Sequence, residues 1–239
     1  IAMILDEFPT ATKEELRRLV DDAILPRIDH STPGRDRQLE LFIGAICRRG
    51  GMAVLMDREP DLWCEASRVW LGLAVKRVRS TAKLEANLTD GAEQIQRSKL
   101  AYGLVCLDMS LGWNPNLETV LTKRTPSEVA FDYRERLFRL LDQQNSVLAD
   151  AWARFPKVLG LLCIDLTFTH HEPIGWFRDQ CSIFSMSHRN DRLRDRVAGA
   201  FRSGWIRGSP NCVDMDQVPR TGRFASPPVD KIMPLRQGS

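Results

Sequence analysis

The stretch Gly34–Ser80, GRDRQLELFIGAICRRGGMAVLMDREPDLWCEASRVWLGLAVKRVRS, decides how the rest of the chain reads. Its first part places Leu39, Phe42, Ile43, Ile46 and Cys47 at i, i+3, i+4, i+7 and i+8. That is the stripe of an amphipathic helix, and Gly50-Gly51 ends it. Glu40 lies about 100° round from Leu39, at the edge of the apolar face, where a carboxylate can point into a cleft beside a sheet. Residues 53–56 read as a short strand. Residues 62–64 and 69–78 read as a hairpin around Glu65-Ala66-Ser67-Arg68, its second strand rich in β-branched and aromatic residues. Side chains alternate along a strand, so Ala74 and Lys76 share one face and Val75 takes the other. If Asp61 closes on the Ala74/Lys76 face, a pocket forms with Lys76 at its rim.

Outward from that stretch the chain alternates helices with apolar runs. Thr12-Lys13-Glu14-Glu15 is a capping box that opens a helix over 10–25, stopped by Pro26. Residues 1–9 read as a loosely docked lead-in. Leu84, Leu88, Ala92 and Ile95 give a further amphipathic helix carrying Gln94 and Gln96. Gly103–Met109 is a continuous apolar run, the mark of a strand buried on both faces. Residues 111–124 read as a loop. Thr125-Pro126-Ser127-Glu128 starts a helix that the periodicity extends to about Trp152. A second buried strand spans 158–168, a shorter one 181–186, and a basic helix 190–202. From Gly204 onward Pro, Gly and Ser accumulate.

These elements predict an α/β fold with a mixed central sheet flanked by helices. One domain covers 1–205, with a core over 34–110 and an elaboration over 125–205, followed by a loop-rich tail over 206–239.

At 239 residues the chain can bury a sizeable core, and 43% hydrophobic with 27% charged residues is ordinary for a globular protein. The net charge of +3 says little, but Arg35, Arg37, Arg77 and Arg79 crowd the opening stretch and can neutralise phosphates. Six widely spaced cysteines suit buried free thiols in a reducing compartment, so the cytoplasm is expected. Cys163, His170, His171 and Cys181 do not follow a known zinc spacing. No run reaches the ~18 apolar residues of a membrane helix, and no nucleophile elbow, Walker loop or dinucleotide fingerprint is present.

Glu40 on the first helix, Pro60-Asp61, Lys76 closing Ala74-Val75-Lys76, and Gln94 on the following helix resemble the PD-(D/E)XK nuclease superfamily, whose members include restriction endonucleases and many bacterial defence nucleases. The resemblance covers residues 34 to about 110. It implies a restriction-endonuclease-like core and a metal-dependent endodeoxyribonuclease acting on DNA, as a homodimer or within a larger defence complex. It also implies Mg²⁺, replaceable by Mn²⁺, held by Asp61, Glu40 and the Val75 carbonyl, with Lys76 positioning the attacking water. Ala74 departs from the pattern, because an acid is expected there. Three explanations are open: a substitution that inactivates the enzyme, an acid that has moved to a helix (Glu40 or Glu93), or a non-catalytic nucleic-acid-binding or structural subunit on the same scaffold.

Overall fold

The computed structural model describes residues 2–8, 33–56, 58–116, 118–172, 174–186, 192–209 and 232–233. The helix expected over 10–25 and most of the expected tail lie outside them. In chain order the elements are α1 (Ala2–Glu7), α2 (Pro33–Arg49), β1 (Val54–Met56), β2 (Leu62–Ala66), β3 (Val69–Arg77), α3 (Leu84–Arg97) and β4 (Tyr102–Asp108). There follow α4 (Ser110–Trp113), β5 (Thr119–Thr122), α5 (Pro126–Gln143), α6 (Asn145–Arg154), β6 (Val158–His171), β7 (Gly175–Met186), α7 (Arg192–Gly208) and β8 (Ile232–Met233).

The sheet is mixed, as the alternation of helices and buried runs predicts. β1, β2 and β3 are antiparallel neighbours, β3, β4 and β6 run parallel, and β7 returns antiparallel along β6. β4 and β7 both pair with Gly160–Ile164, and β5 and β7 both pair with Thr169–His171. β7 therefore takes one edge of β6, while β4 and then β5 share the other.

Strand alternation divides the apolar residues into two cores. Leu39, Ile43 and Ile46 of α2 and Phe201 and Trp205 of α7 pack with Leu73, Val75, Cys106 and Ile164 on one face. Leu88 and Ile95 of α3, Leu137 of α5 and Trp152 of α6 pack with Ala74, Val105, Leu107 and Leu161 on the other. Ala74 and Val75, one residue apart, thus belong to different cores, and everything on the Ala74 face lies under α3, α5 and α6.

Local signals explain the helix ends. α2 closes in a Schellman arrangement: Met52 N–H donates to Cys47 O at 3.0 Å and Gly51 N–H to Arg48 O at 2.8 Å, with Gly51 at φ +83°. Only glycine holds that conformation without steric cost. α5 has the expected capping box, with Thr125 and Glu128 bonded reciprocally and Pro126 in the first turn. The β2–β3 hairpin turns at Ser67 and Arg68, both at positive φ (54° and 63°), the double requirement of a tight turn matched to strand twist.

Several expectations need correction. Residues 2–7 are helical, not loose, and Ile4 is buried in the α2 core. The 111–124 segment holds the short α4 and the strand β5. The helix expected to run from 125 to 152 breaks at Gln144, so that Leu148 and Trp152 of α6 reach the same core as Leu137. Asn145 and Ser146 at that point favour helix starts over interiors. β6 runs on to His171, past the expected end at 168, with Thr169 and His171 polar yet buried, and β7 begins at Gly175, pairing with β6 along its length. α7 continues to Gly208, past the expected boundary at 205. Cys163 and His171, not read as zinc ligands from their spacing, stand eight residues of extended strand apart, roughly 26 Å.

α7 crosses α2 at unusually short range. A Cβ placed on Gly50 would stand 2.0 Å from the Gly204 carbonyl oxygen, and one on Gly208 1.9 Å from that of Ile46. Arg207 Nη2 also donates to Gly50 O at 2.8 Å. Gly50→Ala is therefore expected to push two backbones apart and to lower stability by about 1–3 kcal/mol. Chemical denaturation checks this; an unchanged midpoint contradicts the close crossing.

Candidate active site

The open end of the β2–β3 hairpin gathers the residues that carry chemistry. Leu62 pairs with Leu73, the last rung of the β2–β3 ladder, so Asp61 lies just past the end of β2, beside Ala74 and Val75. Two features hold it there. The Pro60 ring packs on Gly72, where an added Cβ would come within 2.7 Å of it. Val75 N–H then donates to Asp61 Oδ2 at 2.6 Å, a charge-assisted bond that replaces the missing ladder rung. In an extended strand the N–H and C=O of one residue face the same neighbour. The Val75 carbonyl therefore opens toward Asp61 as well.

Glu40 stands on α2, near enough to Asp61 for their charges to interact. Its carboxylate accepts from Arg37 Nη1 at 2.8 Å, and its side chain is 21% exposed. Burial raises its carboxyl above the ordinary range, the Arg37 hydrogen bond opposes that, and the charge of Asp61 raises it further. Burial likewise raises Asp61, opposed by the Val75 N–H and by Lys76, while Asp90 pushes it upward. Two half-buried carboxyls on separate elements thus share one electrostatic neighbourhood.

Lys76 approaches on the Ala74 face of β3, as alternation predicts. Its Nζ pairs with Asp90 Oδ2 of α3 at 2.7 Å. Ala74 itself is fully buried in the core beneath α3. A Cβ added at Gly91 would lie 3.4 Å from the Ala74 Cβ and 2.9 Å from Val105 Cγ1, so α3 rides close over the strand there. Gln94, one turn beyond Asp90, has a buried Oε1 that accepts no hydrogen bond, and so does Gln96.

The basic residues separate in role. Arg37 is bonded to Glu40. Arg77 is committed to Asp108, with Nε 3.2 Å from Oδ2, and lies 4.0 Å from Asp36. Arg79 is exposed just past β3. Arg35 lies within α2, and its side chain is outside the described residues.

As a donor set, Asp61, Glu40 and the Val75 carbonyl are oxygen ligands of the kind a hard divalent cation takes. The residues fit Mg²⁺ or Mn²⁺ in type, one carboxylate short at position 74. Among the described residues no three His, Cys, Asp or Glu side chains stand together as a complete metal cluster.

Sequence reasoning passed over Asp90, Asp108 and Asp165. The signal for Asp90 was the adjacent Gly91, a mid-helix glycine that marks a close approach. For the other two it was a single Asp in each of the matching runs GLVCLDM and GLLCIDL. Asp108 accepts from the backbone and hydroxyl of Ser110. Asp165 is 1% exposed and pairs with Arg136, whose guanidinium lies 4.2 Å from the Trp113 ring centroid. Burial raises the Asp165 carboxyl, and Arg136 opposes it. This second network ties α4 and α5 to the end of β4 and the middle of β6.

Comparison with protein-family models, with curated proteins and with solved structures finds no match. Among the described residues no helix is long and apolar enough to cross a membrane.

The raised carboxyls give a pH test. A carboxyl whose folded pKa exceeds its unfolded value binds its proton more tightly in the folded state. Its ionisation therefore costs stability as pH rises from about 4. Asp61→Asn and Glu40→Gln are expected to raise Tm at pH 7, with the gain fading below the ordinary carboxylate range. Thermal melts from pH 3.5 to 7.5 check this, and a loss of Tm at pH 7 contradicts it.

Proposed function

We propose that this chain is a metal-dependent nuclease that hydrolyses phosphodiester bonds in DNA, built on a restriction-endonuclease-like core and suited to bacterial defence or DNA processing. The observation that supports the proposal is Asp61, held at the open end of the hairpin by the Val75 N–H beside the Lys76 position of β3, with the α2 carboxyl of Glu40 near enough for their charges to interact. Partly buried carboxyls raised by desolvation beside a lysine are a pattern found at functional sites.

Asp61, through the oxygen not engaged by Val75, and Glu40 would hold Mg²⁺ or Mn²⁺ together with the Val75 carbonyl. Such a cation lowers the pKa of a bound water and offsets charge on the phosphoryl oxygens. The chain's own residues do the rest. Lys76 presents a positive charge toward the scissile phosphate, steadies the attacking water and stabilises the charge that grows as the P–O bond to the leaving sugar breaks. The Val75 N–H keeps Asp61 turned toward the site. Exposed Arg79 is placed to hold a neighbouring phosphate, and Arg37 keeps Glu40 in register. Arg77, bonded to Asp108, supports the strand end.

A second reading is a nucleic-acid-binding module without chemistry, favoured by one observation: Ala74 is packed and offers no ligand. The two separate cleanly. Incubation of the unaltered chain with Mn²⁺ and duplex, branched or single-stranded DNA is expected to give cleavage that falls by about 10²-fold or more in Asp61→Asn and in Lys76→Met. DNA affinity that drops steeply with salt and is indifferent to Asp61→Ala, with no cleavage of any substrate by the unaltered chain, contradicts the enzyme and supports the binding module.

A further inference from the structure

We infer that the outer face of the β1–β3 ribbon is a stacking platform for an unpaired strand of DNA, with Trp63 and Trp70 as the side chains that meet its bases. This rests on the nuclease reading and narrows its substrate to DNA that is single-stranded beside the scissile phosphate.

Strand register creates the platform. Leu55 pairs with Trp63, Trp63 with Gly72, and Glu65 with Trp70, so these residues share one face of the sheet. Their strand neighbours Leu62, Cys64, Leu71 and Leu73 face the other way, into the core built with α2 and α7. On the shared face α3 packs on β3 and β4. Leu55 is left 40% exposed, and Trp63 and Trp70 are half-buried and belong to neither core.

The chemistry of Trp63 points to a base. Its Nε1–H donates to the Glu59 carbonyl at 2.9 Å, which satisfies the one polar atom of the indole. What remains to offer a ligand is apolar ring surface. The Pro60 ring and the end of Leu100 lie over Gly72, 2.7 Å and 3.4 Å from where a Cβ would stand, and they continue that apolar floor across β3. A ring of this kind stacks on any base whose own face is open, and bases inside a duplex have none to give.

The platform adjoins the candidate site. Asp61 precedes Trp63 by two residues, roughly 7 Å of extended chain, and Lys76 stands on the same face of β3 as Trp70 and Gly72. A strand whose phosphate lies at Asp61 and Lys76 therefore carries its next base over Trp63. Arg58, Lys99 and the hairpin-tip Arg68 are exposed around the platform. Arg97 lies 3.9 Å from Glu59 and 3.7 Å from Glu93, which offsets those two acids, and the rim suits a polyanion. Glu65, directly opposite Trp70, is the exception. It repels phosphates from the centre of the face and leaves that centre to bases.

The test uses the full chain without divalent cation, with fluorescein-labelled oligothymidylate and a duplex of equal length as probes. Anisotropy and quenching of tryptophan fluorescence are the readouts. The unaltered chain is expected to bind the single strand about tenfold more tightly than the duplex, and only the single strand is expected to quench. Trp63→Ala and Trp70→Ala are each expected to weaken single-strand binding about tenfold and to leave duplex binding unchanged. Trp63→Phe is expected to recover most of that loss, and Glu65→Gln to tighten binding about twofold at low salt. Melting curves verify folding, and the quenching of the unaltered chain decides the matter should an alanine variant not fold. Wild-type affinity in both alanine variants, or equal affinity for single strand and duplex, overturns the inference. A dimer that dissociates in Trp63→Ala, with no single-strand binding, overturns it in favour of an interface between two copies. Cleavage with Mn²⁺ is measured separately. Tryptophan-dependent single-strand binding without cleavage removes the nuclease reading and supports the platform as part of a binding module. Duplex cleavage indifferent to Trp63→Ala keeps the nuclease reading and removes the platform.

Discussion

The hydrogen bond from Val75 N–H to the Asp61 carboxylate, 2.6 Å long, is the interaction around which the rest of the site is arranged. It sits where β2 has ended and β3 continues, so β3 has a backbone donor with no strand opposite it. A buried donor left in that state costs about 1–3 kcal/mol. Asp61 satisfies it with a charged acceptor, and the same bond holds the carboxylate at the end of the hairpin. Pro60 on Gly72 keeps the approach rigid. Loss of the bond would release a carboxylate from the sheet edge.

Around that point the architecture divides labour between its two faces. α2 and α7, crossing through glycines, form a stiff support behind Glu40, and Arg194 adds to it by donating to the carbonyls of Pro156 and Val158 at the root of β6. On the other face α3 lies close over Ala74 and brings a side chain to Lys76. The arrangement destabilises the protein locally, since two raised carboxyls oppose each other. Such opposition is common where a site waits for a charged ligand, and the surrounding cores must offset it. The Asp108–Ser110 and Asp165–Arg136 network holds a second set of carboxylates at the end of β4 and midway along β6. There the charges are paired, consistent with fixing α4 and α5.

Much of the core was legible in the sequence because it follows simple periods. The α2 stripe, the capping box at Thr125, the hairpin and the buried run at β4 are each set by local spacing, and the alternation that places Ala74 with Lys76 and apart from Val75 follows from the strand pleat alone. What was not legible depended on partners distant in sequence. The last residues of β6, beyond the apolar run that ends at Phe168, join the strand because His171 meets the Arg124 carbonyl. The lead-in at 2–7 looks loose until Ile4 finds α2. Asp90 resembles any surface acid until Gly91 is seen to bring its helix down on Ala74. Position 74 lacks an acid because Ala74 is packed beneath α3.

The most direct measurement is the location of Mn²⁺ in crystals of the unaltered chain by anomalous scattering at the manganese edge. The expected result is a peak bounded by Asp61, Glu40 and the Val75 carbonyl, with Lys76 adjacent to it. Manganese bound elsewhere, or none at this hairpin end at millimolar concentration, would contradict the cation site on which the proposed chemistry depends.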